Sequence, residues 1–83
     1  MDFGEAIKLI KSGERLSRRG WNGKGMYVFL VKYDDYRLSD INRPESDYPV
    51  QSSLFMKTAQ DMIVPWAPVQ SDVLGEDWGV CYG

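Results

Sequence analysis

Residues 18–26 combine an aromatic ring, positive charge and glycine in one short stretch. The stretch reads Arg-Arg-Gly-Trp-Asn-Gly-Lys-Gly-Met, with Trp21 between the cations Arg18, Arg19 and Lys24. Its three glycines give the backbone access to positive φ angles. A flat apolar ring beside cations suits a ligand that is both aromatic and anionic. Alternatively, Trp21 anchors the core and the glycines only turn the chain.

The two other tryptophans, Trp66 and Trp78, also stand near polar side chains. An indole ring can stack on a nucleotide base while neighbouring amides, hydroxyls and carboxylates bind base edges and sugar hydroxyls. The polar residues near the three tryptophans are Asn22, Ser71, Asp72 and Asp77. On composition alone, a single core cluster of the three rings is an equal alternative.

The residue types needed for most catalytic mechanisms are missing from the sequence. It contains no histidine and one cysteine, Cys81, which excludes an internal disulfide, a Cys/His zinc site and a histidine-based triad. No Walker loop is present, and the isolated G-x-G at 23–25 is a weak phosphate-loop signal. We therefore expect a protein that is not an enzyme, with no metal and no cofactor.

Length and charge limit the partners further. The 83 residues predict one domain, spanning 1–83, with a net charge of −2 and a pI near 4.9. Residues 1–24 hold six lysines and arginines against three acids, whereas 25–83 hold four against nine. An acidic chain disfavours a nucleic-acid polymer as partner. No apolar run reaches the length of a membrane span, so we expect a soluble protein in the cytoplasm.

The order of apolar residues predicts an α+β fold. Asp2 and Glu5 form a capping-box pattern, and apolar residues at helical spacing follow over 3–12. A helical turn is predicted over 69–74. Five strands are predicted, over 14–19, 26–33, 52–57, 62–66 and 76–82. The expected architecture is an N-terminal helix packed on a bent antiparallel sheet of about five strands.

Two segments of this fold have unusual composition. The strand at 26–33 is apolar on both faces, so we expect the helix to cover one face and another sheet or subunit to cover the other. Residues 34–50 are acidic, contain two prolines and carry tyrosines at 36 and 48, which predicts a variable surface loop.

Three stretches, taken together, resemble one small family. The sequence is similar to the second type of Thoeris anti-defence proteins, found in phages and bacterial genomes, over nearly the whole chain except 34–50. It departs from the family pattern at Gly75, where alanine is expected. The stretches are Asp2-Phe3-Gly4-Glu5-Ala6, Gly20-Trp21-Asn22-Gly23-Lys24-Gly25-Met26 and Val64-Pro65-Trp66 with Gln70-Ser71-Asp72-Val73-Leu74-Gly75-Glu76-Asp77-Trp78.

The resemblance implies a phage-encoded sponge acting in the cytoplasm of the bacterial host. Such a protein is a homotetramer that binds glycocyclic ADP-ribose without cleaving it. A host TIR-domain enzyme makes this immune signal, so sequestering it keeps the Thoeris effector silent. Two alternatives remain open: a sponge for cyclic oligonucleotide signals, and an aromatic-rich protein-binding module that inhibits a host factor directly.

A cyclic ADP-ribose isomer presents an adenine face, ribose hydroxyls and two phosphates. Tryptophans would stack on the base, cations would bind phosphates, and amide, hydroxyl and carboxylate groups would bind hydroxyls and base edges. So small a chain can hardly enclose this ligand alone, which favours a site between subunits. The predicted ligand-binding residues are Arg18, Arg19, Trp21, Asn22, Lys24, Trp66, Ser71, Asp72, Asp77 and Trp78.

Overall fold

A short helix, α1 (Phe3–Lys11), opens the chain and is defined by the residues at its two ends. At its start, the Asp2 carboxylate accepts a 2.8 Å hydrogen bond from the backbone N–H of Glu5, as the capping pattern predicts. At its end, Ser12 is the C-cap and Gly13 adopts a φ of +106°, a conformation that favours glycine and lets the chain leave the helix.

The computed structural model describes residues 1–21, 24–32 and 51–81. The predicted loop at 34–50 and the candidate site residue Asn22 lie outside these ranges, so both stay predictions.

The strands form one five-stranded sheet in the order β4-β3-β2-β1-β5, with every neighbouring pair antiparallel. The predicted fold of an N-terminal helix on an antiparallel five-stranded sheet is confirmed. Each observed element lies inside its predicted range. The elements after α1 are β1 (Leu16–Arg18), β2 (Tyr27–Val31), β3 (Ser53–Lys57), β4 (Ile63–Pro65), α2 (Gln70–Leu74) and β5 (Trp78–Val80).

The position of β1 between β2 and β5 brings the N-terminal and C-terminal segments of the described chain together. On one side Leu16 lies opposite Val28 of β2, and on the other side it lies opposite Val80 of β5. Two residues further along, Arg18 lies opposite Trp78. This register places the arginine-rich stretch that follows β1 beside the segment that leads from α2 into β5.

The core lies between α1 and one face of the sheet. Ala6 and Ile10, one helical turn apart on α1, are fully buried against Leu16 and Val28 of the sheet. Trp78 completes this cluster with only 3% of its surface exposed. Burial of these side chains supplies the main apolar stabilisation of so small a domain.

The opposite face of the sheet carries aromatic side chains. Strand alternation points Tyr27 and Phe29 away from Val28, and the rings of Phe29 and Phe55 lie 6.4 Å apart on paired strands. These three aromatic residues are half-buried and are not among the residues packed on the core. The predicted covering of β2 by the helix is confirmed, whereas covering of its second face stays a prediction.

Candidate functional site: an aromatic cluster beside an arginine and two carboxylates

The three tryptophans form one cluster. Trp78 lies 5.4 Å from Trp21 and 6.1 Å from Trp66 between ring centroids, and Trp21 and Trp66 are 6.5 Å apart, all in edge-to-face arrangements. Trp78 is buried in the core, whereas the other two rings are half-buried and pack on the core from its margin. The cluster therefore combines one tryptophan that anchors the core with two tryptophans whose rings remain partly accessible.

Trp78 is fixed by contacts on several sides. Its indole N–H donates a 2.9 Å hydrogen bond to the backbone carbonyl of Asp72, and its ring lies 5.6 Å from that of Phe3. Trp66 follows β4, and its backbone N–H donates to the carbonyl of Leu54 on β3. The polar group of Trp78 is therefore hydrogen-bonded inside the protein, as is usual for a buried indole. The two half-buried tryptophan rings pack against this fixed ring.

Arg18 is held between two carboxylates. Its Nε donates to Asp77 Oδ1 at 2.9 Å and its Nη1 donates to Asp72 Oδ1 at 3.0 Å. The other oxygen of each carboxylate accepts a backbone N–H, with Gly20 donating to Asp77 Oδ2 at 2.9 Å and Val69 donating to Asp72 Oδ2 at 3.1 Å. The arginine therefore connects β1 to both α2 and the start of β5.

These hydrogen bonds stabilise the charged form of each partner. The bonds to Asp77 and then to Asp72 raise the pKa of Arg18 above its ordinary value. The bond from Arg18, followed by the one from the Gly20 N–H, lowers the pKa of Asp77. Arg18 and Asp77 are therefore both ionised at neutral pH and at mildly acidic pH.

Two glycines lie against this network for a reason that the sequence does not reveal. A Cβ at Gly20 would lie 3.1 Å from Asp77 Oδ2, and a Cβ at Gly75 would lie 2.9 Å from Cζ, Nε and Nη2 of Arg18. The expected positive φ is found at Gly25, at +74°, but not at Gly20. Gly20 is explained instead by close approach of a carboxylate, and Gly75 leaves room for the guanidinium group.

The remaining predicted site residues that the structure describes lie on the surface. Arg19 and Lys24 are exposed on either side of Trp21, and neither forms an ion pair with another described residue. Ser71 is exposed on α2. Among the described residues, these two cations differ from Arg18 in having no carboxylate partner.

Lys57 contacts the backbone that follows the tryptophan-bearing stretch. The sequence alone did not indicate this residue. Its Nζ donates to the carbonyl of Gly25 at 3.1 Å and pairs with Asp61 at 2.6 Å. Lys57 and Gly25 are 32 residues apart in the chain. No local pattern could reveal the contact, because it depends on the pairing of β2 with β3.

Two further properties concern the described ranges only. Within residues 1–21, 24–32 and 51–81, no group of three or more acidic or cysteine side chains is arranged to hold a metal ion. In the same ranges, no helix has both the length and the apolar character needed to cross a membrane.

The fold and the candidate site define a small α+β protein with partly accessible aromatic rings and with exposed cations that flank Trp21 in the sequence. The chain belongs to the Thoeris anti-defense 2-like domain family (Tad2-like), which it matches over residues 1–81. It is similar to Thoeris anti-defense 2 of Bacillus phage SP01, with 44% identity over an alignment of 84 positions that covers 96% of this chain and 93% of that protein. The family resemblance drawn from the three stretches is therefore confirmed, and membership supports an anti-Thoeris function.

Proposed function

We propose that the chain blocks Thoeris defence by sequestering glycocyclic ADP-ribose without cleaving it. The observation that carries this proposal is the pair of half-buried rings, Trp21 and Trp66, in edge-to-face contact at the margin of the core. The exposed cations Arg19 and Lys24 are close to Trp21 in the sequence. The adenine of the signal would stack on an indole ring, and its phosphates would bind the cations.

Retention of the ligand without cleavage agrees with the state of the carboxylates. Asp72 and Asp77 are both hydrogen-bonded to Arg18, and each also accepts a backbone N–H. A general acid at neutral pH needs a raised pKa, whereas the pKa of Asp77 is lowered. The relative from phage SP01 carries the name of an anti-defence protein and not of an enzyme, which is consistent with binding alone.

Self-association into a homotetramer is part of the proposal. A single chain contacts a stacked ligand from one side, so a second copy would complete the site. Apolar surface favours such contacts, since Tyr27, Phe29 and Phe55 lie on the sheet face opposite α1. On α2, Leu74 is 71% exposed. Light scattering coupled to gel filtration would measure the assembly, and a monomer at working concentration would contradict this part of the proposal.

A retention experiment tests the function directly. Purified protein is mixed with glycocyclic ADP-ribose, the unbound fraction is removed by filtration, and heating releases what was held. We expect the signal to be depleted from the filtrate and recovered intact. Recovery of a breakdown product would make the protein an enzyme. Failure to deplete the signal, with depletion of a cyclic oligonucleotide in a parallel sample, would favour the alternative sponge.

Trp21 provides the matched variants for this experiment. Trp21→Ala removes a stacking surface worth about 1–3 kcal/mol, which corresponds to roughly a 5- to 150-fold loss of affinity. Trp21→Phe keeps a ring and should retain most of the binding. Equal retention by the wild-type and alanine proteins would exclude Trp21 from the site. Binding of a stoichiometric host protein by the wild type, with no retention of the signal, would favour the protein-binding module.

A further inference from the structure

We propose that Asp77, held by Arg18, is a positioning residue that fixes Trp21 in its ligand-binding orientation and does not itself contact the ligand. This inference rests on the proposed function, and it replaces the prediction that Asp77 and Arg18 bind ligand groups. It follows from the way one aspartate contacts three consecutive residues just before Trp21.

Both the side chain and the backbone of Asp77 accept hydrogen bonds from the turn that leads into Trp21. Its carboxylate accepts the N–H of Gly20, the residue adjacent to Trp21, at 2.9 Å. Its backbone carbonyl accepts the N–H of Arg19 at 3.1 Å. The turn is closed by the N–H of Trp21, which donates to the carbonyl of Arg18 at 3.2 Å. Displacement of Asp77 would therefore move the backbone that carries the Trp21 ring.

Arg18 fixes Asp77 in turn. The guanidinium group donates to Asp77 from Nε and to Asp72 from Nη1, so the aspartate is tied to α2 as well as to β1. The three side chains are only 18%, 10% and 29% exposed for Arg18, Asp72 and Asp77 respectively. Both oxygens of each carboxylate already accept hydrogen bonds within the protein. Such groups are suited to fixing backbone geometry, whereas Arg19 is exposed and forms no ion pair with another described residue.

Two variants disturb the hydrogen bonds between Asp77 and this turn in different ways. Asp77→Asn keeps the size of the side chain but replaces one carboxylate oxygen with a donor NH₂, which then faces one of the two donors, Arg18 Nε or the Gly20 N–H. Gly20→Ala changes no charge, but it places a methyl group 3.1 Å from the Asp77 carboxylate. A Glu14→Gln variant is the matched control, since it removes one negative charge at an exposed position.

Affinity for glycocyclic ADP-ribose is measured by titration calorimetry at a temperature well below every variant's melting point. If the hydrogen bonds of Asp77 hold Trp21 in the orientation that binds the ligand, losing them lowers the fraction of protein in that orientation. The Kd for the ligand then rises in inverse proportion to this fraction. We expect an increase of about tenfold for Asp77→Asn and for Gly20→Ala, and none for Glu14→Gln. Should Asp77→Asn fail to fold, Gly20→Ala carries the test.

Fluorine NMR of protein labelled with 5-fluorotryptophan separates positioning from ligand contact. Its three resonances can be assigned by replacing each tryptophan with phenylalanine. In the absence of ligand, both variants should shift or broaden the Trp21 resonance most, with smaller changes at Trp66 and Trp78, whose rings contact that of Trp21. Weaker binding with an unchanged Trp21 resonance would overturn the inference, because it would make Asp77 a direct ligand contact. Unchanged affinity together with an unchanged resonance would also overturn it. If the wild type binds no signal, the proposed function fails and the Trp21 resonance alone decides the positioning role.

Discussion

Arg18 and Arg19 are adjacent and of the same type, yet the fold uses them in opposite ways. Arg18 points into a network with Asp72 and Asp77, where its hydrogen bonds hold three elements together. Arg19 is exposed and forms no ion pair with another described residue. Chemical capacity alone therefore does not identify a ligand-binding residue, because an ion pair inside the protein can satisfy the same cation.

The tryptophans also differ in whether the fold buries them or leaves them partly accessible. Trp78 is 3% exposed and its indole N–H is hydrogen-bonded, whereas Trp21 and Trp66 are half-buried at the edge of the same cluster. A buried ring supports the fold, and a marginal ring can offer a face or an edge to a ligand. The candidate site thus combines fixed and partly accessible side chains in one aromatic cluster.

The largest expected effect is the difference between Trp78→Ala and Trp21→Ala in stability. Removing the buried ring should lower the free energy of unfolding by about 3–5 kcal/mol, because it leaves a cavity and an unpaired carbonyl at Asp72. Replacing the half-buried Trp21 with alanine should lower the free energy of unfolding by clearly less. Urea unfolding followed by far-ultraviolet circular dichroism measures both values. Equal losses would mean that Trp21 is as much a core residue as Trp78.

The second comparison replaces each arginine with glutamine. Arg18→Gln should lower the melting temperature, because it breaks the contacts of β1 with both carboxylates. Arg19→Gln should leave the melting temperature unchanged while weakening binding of the signal by about tenfold through a lost charge-assisted contact.

Salt dependence gives the control for the arginine comparison. An exposed cation that binds phosphate is screened by salt, so the wild type should lose affinity as salt rises and Arg19→Gln should lose less. A fall in the melting temperature of Arg19→Gln as large as that of Arg18→Gln would contradict the division between them.

The smallest expected effect is in the pH dependence of stability. The pKa of Asp77 is lower in the folded chain than its ordinary value of 3.8, so its contribution is fully present above that value. The contribution is lost as the pH falls through the lower pKa of the folded state. Melting temperatures of the wild type and Asp77→Asn should therefore differ at neutral pH and converge in strong acid. A difference that stayed constant down to the lowest pH would show that the ionised carboxylate is not what stabilises the fold.

Much of the fold could be predicted because its signals are local. Asp2 and Gly13 mark the ends of α1, and apolar runs mark the five strands and give their approximate bounds. Strand order was not predicted, since pairing β1 between β2 and β5 joins segments that are distant in the chain. The pairing of the buried Leu16 with the half-buried Val80 is one example.

The sequence by itself determined the elements, the concentration of tryptophans and cations, and the family. Only the tertiary structure decided which of these side chains are held within the protein and which remain accessible. Arg18 lies 54 residues from Asp72 and 59 residues from Asp77, so their hydrogen bonds exist only because β5 returns beside β1. Since ion pairing and burial depend on such long-range proximity, no local pattern distinguishes Arg18 from Arg19.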